Sequence, residues 1–121
     1  MKREELHFDE DGLIIDVIIP NLNQELSIDK NYDSDFDIEN QLDFAKYLID
    51  TSDTWYPIAF NHILSETNDK SDFLKIIYLL DDSVFGLPFE LVSEPEHGYG
   101  MKLNSKKLEI LELGEAFIAF A

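Results

Sequence analysis

Leu74-Lys75-Ile76-Ile77-Tyr78-Leu79-Leu80 is the stretch whose reading decides the fold. Apolar at every position but one, it reads either as a central strand buried on both faces or as a short helix. It is brief for a helix, its Ile and Tyr content suits a sheet, and Asp81-Asp82-Ser83 stops it at once, so a strand is the reading. On its N-terminal side lies the polar linker Ser65 to Lys70, and before that the periodicity is 3.6. Ile38, Leu42, Ala45, Leu48 and Ile49 share one helical stripe, with Asp37 placed to cap it. Trp55, Ile58, Ala59, His62 and Ile63 share another, with Thr54 as its cap and Pro57 tolerated in the first turn.

Earlier still, the period is two. Glu5-Leu6-His7-Phe8 alternates, Asp9-Glu10-Asp11-Gly12 is a turn, and Leu13 to Ile19 is rich in β-branched residues up to Pro20-Asn21. Gln24 to Asp29 supplies a further strand. Beyond the deciding stretch, Phe85 to Leu91 alternates, with Pro88 pointing to an edge or a bulge. Tyr99 to Leu103 and Leu108 to Leu113 follow, joined by Asn104-Ser105-Lys106-Lys107, and Phe117 to Phe120 reads as a last short strand. Strands, two helices, then strands again predict an α+β fold. The expected form is a single antiparallel, curved sheet of six or seven strands with both helices packed on one face, in one domain spanning 1–121.

Charge bounds the function. Twenty-six acidic residues oppose nine basic ones, a formal charge of −17 in 121 residues. About 2–8 units suffice for solubility, and an excess of this size strains the compact state by self-repulsion. Hydrophobic residues at 45% are enough for a core, so the acidity is not the composition of a disordered chain. Nucleic acid and anionic membranes are excluded as partners, because both need clustered lysine and arginine. Without Cys there are no disulfides and no thiolate metal sites. With no apolar leader or spanning run, the expected compartment is the cytoplasm.

The acids fall in base-free runs. Asp29, Asn31, Asp33, Asp35, Asp37 and Glu39 alternate, and between Lys30 and Lys46 there are five acids and no base. An EF-hand needs Gly at position six and Glu at twelve of its loop. Ser34 and Asn40 stand there in one register, Ile38 and Phe44 in the other, so the loop is not one. Either it is a solvated loop whose acids favour a helix N-terminus, or, with Tyr32 and Phe36 interleaved, a patch that grips a basic protein. A second run, between Lys75 and Lys102, holds Asp81, Asp82, Glu90, Glu94 and Glu96. Trp55 is expected in the core and Tyr56 outside it as an interface anchor. His62 reads as a satisfied core or boundary residue and His7 as an exposed strand start. Glu96-His97 pairs a carboxylate with a base, but no nucleophile or metal motif accompanies it.

The segment Ser93-Glu94-Pro95-Glu96-His97-Gly98-Tyr99-Gly100-Met101-Lys102-Leu103, with the closing Ala116-Phe117-Ile118-Ala119-Phe120, resembles the end of small acidic bacterial domains. Those domains are similar to immunity-type proteins of polymorphic-toxin and contact-dependent-inhibition loci, and carry an acid-x-Glu-His-Gly-x-Gly turn. The resemblance implies a structural role for Glu96, His97, Gly98 and Gly100. The expectation is a non-catalytic acidic immunity protein, without cofactor or metal, that occludes a basic toxin domain of nuclease type. Its binding residues would be Tyr32, Asp33, Asp35, Phe36, Asp37, Glu39, Tyr56, Asp81, Asp82, Glu94 and Glu96. The alternatives are an acidic adaptor or DNA mimic, and a small hydrolase using Glu96 and His97.

Overall fold

A computed structural model of the chain describes residues 5–19, 24–32, 36–67, 73–81, 83–91 and 96–120. The elements are strands β1 (Leu13–Ile19) and β2 (Gln24–Asp29), helices α1 (Ile38–Asp50) and α2 (Ser52–Thr67), then strands β3 (Phe73–Leu74), β4 (Ile76–Leu79), β5 (Val84–Glu90), β6 (Tyr99–Asn104) and β7 (Glu109–Gly114). A 3-10 helix at Ala116–Phe120 ends the described chain, in place of the expected last strand. Glu5 to Phe8, also expected as strand, is not one, although Leu6 is buried.

The fold is α+β, but its sheet is mixed and not strongly curved. The order is β1-β2-β4-β5-β6-β7, with β3 beside β4 on β5. Every neighbouring pair is antiparallel except β2 and β4, which run parallel through Ser27↔Ile76, Ile28↔Ile77 and Asp29↔Tyr78. The cause is where α2 delivers the chain. Its C-terminal half carries His62 to within 6.3 Å, ring to ring, of Tyr99 at the start of β6. The chain therefore re-enters the sheet from the end at which β2 began, and β4 must follow the direction of β2.

The Leu74–Leu80 stretch is a strand, and its continuous apolarity has two sources. Leu74 pairs with Phe89, whereas Leu79 pairs with Phe85, so one extra residue lies on the β3–β4 side between them. This bulge at Lys75 shifts the alternation by one, and Leu74, Ile77 and Leu79 are all buried despite their mixed parity. Pro88 sits opposite the bulge, where its missing N–H interrupts nothing. It is thus in an interior strand, paired with Gly100 of β6, and not at an edge.

Both helices pack on one face, through Phe85 and Phe89 of β5. Phe44 of α1 and Trp55 of α2 meet Phe85 edge to face at 6.2 and 5.2 Å, and Tyr56 lies over Phe89 at 6.5 Å. Such ring pairs each contribute about 0.5–1.5 kcal/mol beyond area burial. Trp55 is buried as expected, and its indole N–H donates to the Leu48 carbonyl at 2.8 Å. No helix among the described residues is long and apolar enough to cross a membrane.

The opposite face is covered by the 3-10 helix, and two glycines admit it. A Cβ on Gly86 would lie 1.7 Å from the Ala119 carbonyl oxygen, and one on Gly100 would lie 2.6 Å from that of Glu115. Tyr78 of β4 meets Phe120 at 5.1 Å, fixing the far end of this strap. Gly86→Ala is therefore expected to lift the strap and cost about 1–3 kcal/mol. Urea unfolding measures this, and an unchanged midpoint would mean that the strap does not rest on β5.

Candidate acidic binding surface

Parallel pairing of β2 with β4 puts the C-terminal ends of both strands at one edge of the molecule. The loop after Asp29 and the turn at Asp81 therefore share that end, with the amide of Asn31 donating to the Leu80 carbonyl at 2.7 Å. The Asp9–Gly12 turn joins them, because Leu13 pairs with Asp29 and the Lys30 N–H donates to the Gly12 carbonyl at 2.8 Å. A fourth loop, Ser105–Lys107, is tied in by the Ser105 N–H to the Ser83 carbonyl at 2.7 Å.

Each loop is shaped by a side chain. Asp9 Oδ1 accepts from the N–H groups of Asp11 and Leu13, both at 2.9 Å, and Gly12 closes that turn at φ +79°. Asp81 Oδ1 does the same for Ser83 and Val84. Asp37 caps α1 through the Asn40 N–H at 2.8 Å, and Glu39 adds a carboxylate in the first turn, where the helix dipole favours it. Gln41 is fully buried and bridges α1 to the preceding loop. Its oxygen accepts from the Asn31 N–H at 2.8 Å, and its amide donates to the carbonyls of Asn31 and Phe36 at 2.8 and 2.7 Å.

Tyr32 is 69% exposed, yet fixed. Its hydroxyl donates to the Asp11 carbonyl at 2.8 Å, and the Lys30 ammonium lies 5.1 Å from its ring centre. Beneath it opens a cleft of about 350 Å³ lined by His7, Phe8, Asp9, Glu10, Gly12, Lys30, Tyr32, Ile38 and Leu42. An apolar floor, an exposed ring and a rim of carboxylates suit the side chain of a lysine or arginine, stem inside and charge at the rim.

The anticipated site residues divide. Tyr32, Asp37, Glu39 and Asp81 converge on this end. Phe36 is near them but half-buried against the core, so it supports the loop more than it anchors a partner. Tyr56, expected to point outward, is stacked on Phe60 at 5.6 Å among core rings, and burial raises its hydroxyl pKa. Its aromatic neighbours and the apolar stripe compete for the same face, and packing wins. Glu96 is exposed at the opposite end, beside Lys75, Glu90 and His97. Asp33, Asp35, Asp82 and Glu94 lie outside the described residues.

Asp9, Glu10 and Asp11 form more than a turn: no lysine or arginine occurs between Arg3 and Lys30. That run was the available signal. The cleft itself was not legible, since it needs Tyr32 to fold back over Gly12.

The histidines offer little chemistry. His97 faces Glu115 at 3.6 Å with both side chains exposed, and its carbonyl accepts from the Ala116 N–H at 2.9 Å. Gly98 adopts φ +64° and abuts the Phe89 carbonyl, so the Glu-His-Gly turn locks the strap against β5. The exposed His7 belongs to no strand. His62 is half-buried, but its Nε2 has no hydrogen-bond partner and lies 3.9 Å from Glu66, so it is not the satisfied residue expected. Among the described residues, no three His, Asp or Glu side chains are grouped to hold a metal ion. Comparison of the chain with models of known families, with curated proteins and with solved structures returned no match.

Asp29 sits within this end, and its pKa is raised by burial, against a backbone hydrogen bond from Lys30 that lowers it. The folded state therefore binds the proton more tightly than the unfolded chain, and the ionised group costs stability above its folded pKa. Asp29→Asn is expected to stabilise the protein at neutral pH, the gain fading as pH falls and vanishing below the ordinary value of 3.8. Equal gain at every pH would contradict this. Gln41→Leu should cost about 2–4 kcal/mol, since two carbonyls and an N–H lose their partner. Amide hydrogen exchange at Asn31 and Tyr32 should rise with it; unchanged protection there would remove Gln41 as the clasp.

Proposed function

We propose that this chain is a non-catalytic acidic inhibitor that binds and occludes a basic toxin domain of nuclease type. One observation carries the reading: four loops converge on one end of the sheet, and two of them, with the first turns of α1, line a cleft that combines carboxylates with an exposed ring. A nuclease must present positive charge to attract phosphate, and the same charge attracts this surface. Exposed Glu10, Asp11, Asp37, Glu39 and Asp81 would steer the approach, while Tyr32 and Ile38 provide apolar contact at the cleft. The loops are held by their own hydrogen bonds before any partner arrives, which lowers the ordering cost of association.

A ring beside a cleft favours this reading over an adaptor or DNA mimic, whose carboxylates would follow phosphate spacing along a surface. Hydrolysis at Glu96 and His97 has less support, because both are exposed and the imidazole faces Glu115 instead of Glu96.

The test starts from the cationic nuclease domain that the reading expects to be encoded beside this chain. Stopped-flow association with that domain should slow steeply as salt rises. Asp37→Asn and Asp81→Asn preserve their caps, since an amide oxygen still accepts the hydrogen bond. Combined with Glu10→Gln and Glu39→Gln, they should cut the low-salt on-rate about tenfold and flatten its salt dependence. Tyr32→Ala should act mainly by speeding dissociation. An on-rate indifferent to salt and to all four substitutions, or a neighbouring frame without such a domain, would contradict the proposal.

A further inference from the structure

β7 ends the sheet order, so among the described residues no strand pairs with its outer edge. An edge strand presents a row of unpaired N–H and C=O groups, which proteins blunt with lysine, proline, bulges or a covering element. β7 has no lysine and no proline; what it carries is the register shift opposite Lys102 and Leu103 and two glutamates, Glu109 and Glu112, whose charge turns away an acidic strand but not a basic one. Leu111 and Leu113 are 49% and 40% exposed. The 3-10 helix that follows turns onto the sheet face at Gly86 and Gly100 instead of along this edge.

The two faces of the edge differ in chemistry. Leu113 pairs with Met101 and Ile110 with Leu103, so these apolar side chains extend the helix-bearing face. Glu112 pairs with Lys102 and Glu109 with Asn104, which puts both carboxylates on the opposite face. The contact between Lys102 and Glu112 is 3.9 Å long and the Glu112 side chain is half-exposed, which leaves the carboxylate open to another cation. A strand laid along β7 would thus meet an apolar row on one face and an acidic row on the other.

We propose that the outer edge of β7 receives an extended segment of a basic partner protein by strand addition. In that segment, lysines or arginines face Glu109 and Glu112, and the alternate apolar side chains continue the row of Ile110 and Leu113. The basic character of the partner rests on the function proposed above; the edge itself does not. Charge selects this occupant over a second copy. Two chains at −17 repel, and antiparallel self-pairing about an axis normal to the sheet would set glutamate row beside glutamate row.

The probe is a blocked peptide of about eight residues alternating lysine and valine, long enough to cover the strand. Titrated into the isotope-labelled full chain at low salt, it should shift the amides of residues 109–114 and slow their hydrogen exchange. Glu109→Lys with Glu112→Lys, both at exposed positions, should weaken binding about tenfold or more and transfer preference to a glutamate–valine peptide. Three outcomes would overturn the proposal: shifts confined to the Asp9–Gly12 and Asp81 turns, equal binding by a peptide with its lysines and valines in separate blocks, or concentration-dependent pairing of β7 in the chain alone. If the nuclease domain binds with full affinity to the Glu109→Lys, Glu112→Lys variant, strand addition falls while the inhibitor reading stands. If the peptide binds β7 but no basic domain is recognised, the inhibitor reading falls alone.

Discussion

The parallel pairing of β2 with β4 is the constraint from which the rest follows. An all-antiparallel sheet would send the loop after Asp29 and the turn at Asp81 to opposite ends, and the acidic runs would never meet. Once the two strands run together, Asn31 reaches Leu80 and the fully buried Gln41 fastens the loop to α1. Tyr32 then folds back onto the Asp9–Gly12 turn. A single topological choice, imposed by where α2 ends, gathers four loops, three of them bearing carboxylates, at one end of the sheet beside the cleft.

The opposite end is built for packing. Gly98 and the His97 carbonyl fasten the terminal strap, Gly86 and Gly100 let its backbone lie against the sheet, and Glu90 sits 3.3 Å from Lys75. The Tyr32 end carries the exposed Glu10, Asp11, Asp37, Glu39 and Asp81, with Lys30 drawn over an aromatic ring. Lysines 106 and 107, on the fourth loop, moderate the field without interrupting the rim of the cleft.

What the sequence made legible follows from local physics. The Asp37 cap, the Asp-rich turn closing on Gly12 and the buried stripes Leu42, Ala45, Leu48, Ile49 and Trp55, Ala59, Ile63 depend on near neighbours, and the structure bears them out, while Ile38 at the start of the first stripe is exposed. Trp55 in the core follows from periodicity alone. Two local expectations fail: α2 begins at Ser52, which leaves Thr54 inside it and Pro57 beyond its first turn, and Glu5 to Phe8 forms no strand. The other departures concern long-range contacts. Of the edge or bulge expected at Pro88 the structure has the bulge, on the neighbouring strand at Lys75, thirteen positions earlier in sequence. Tyr56 is drawn inward by Phe60 and Phe89, and the final apolar run forms a 3-10 strap because two distant glycines leave room for it. The acidic loop and the aromatic beside it could be picked out from composition. Their meeting with the N-terminal turn could not, because it depends on the direction of β4.

The concentration of negative potential at the Tyr32 end can be measured without any partner. Paramagnetic broadening of each amide by a cationic nitroxide, divided by that from a neutral one, reports local potential directly. The ratio should peak at the amides of Asp9–Gly12, Lys30–Tyr32, Asp37–Asn40 and Asp81–Val84. An even ratio over the whole surface, or a maximum around Glu96–Gly98, would contradict the account.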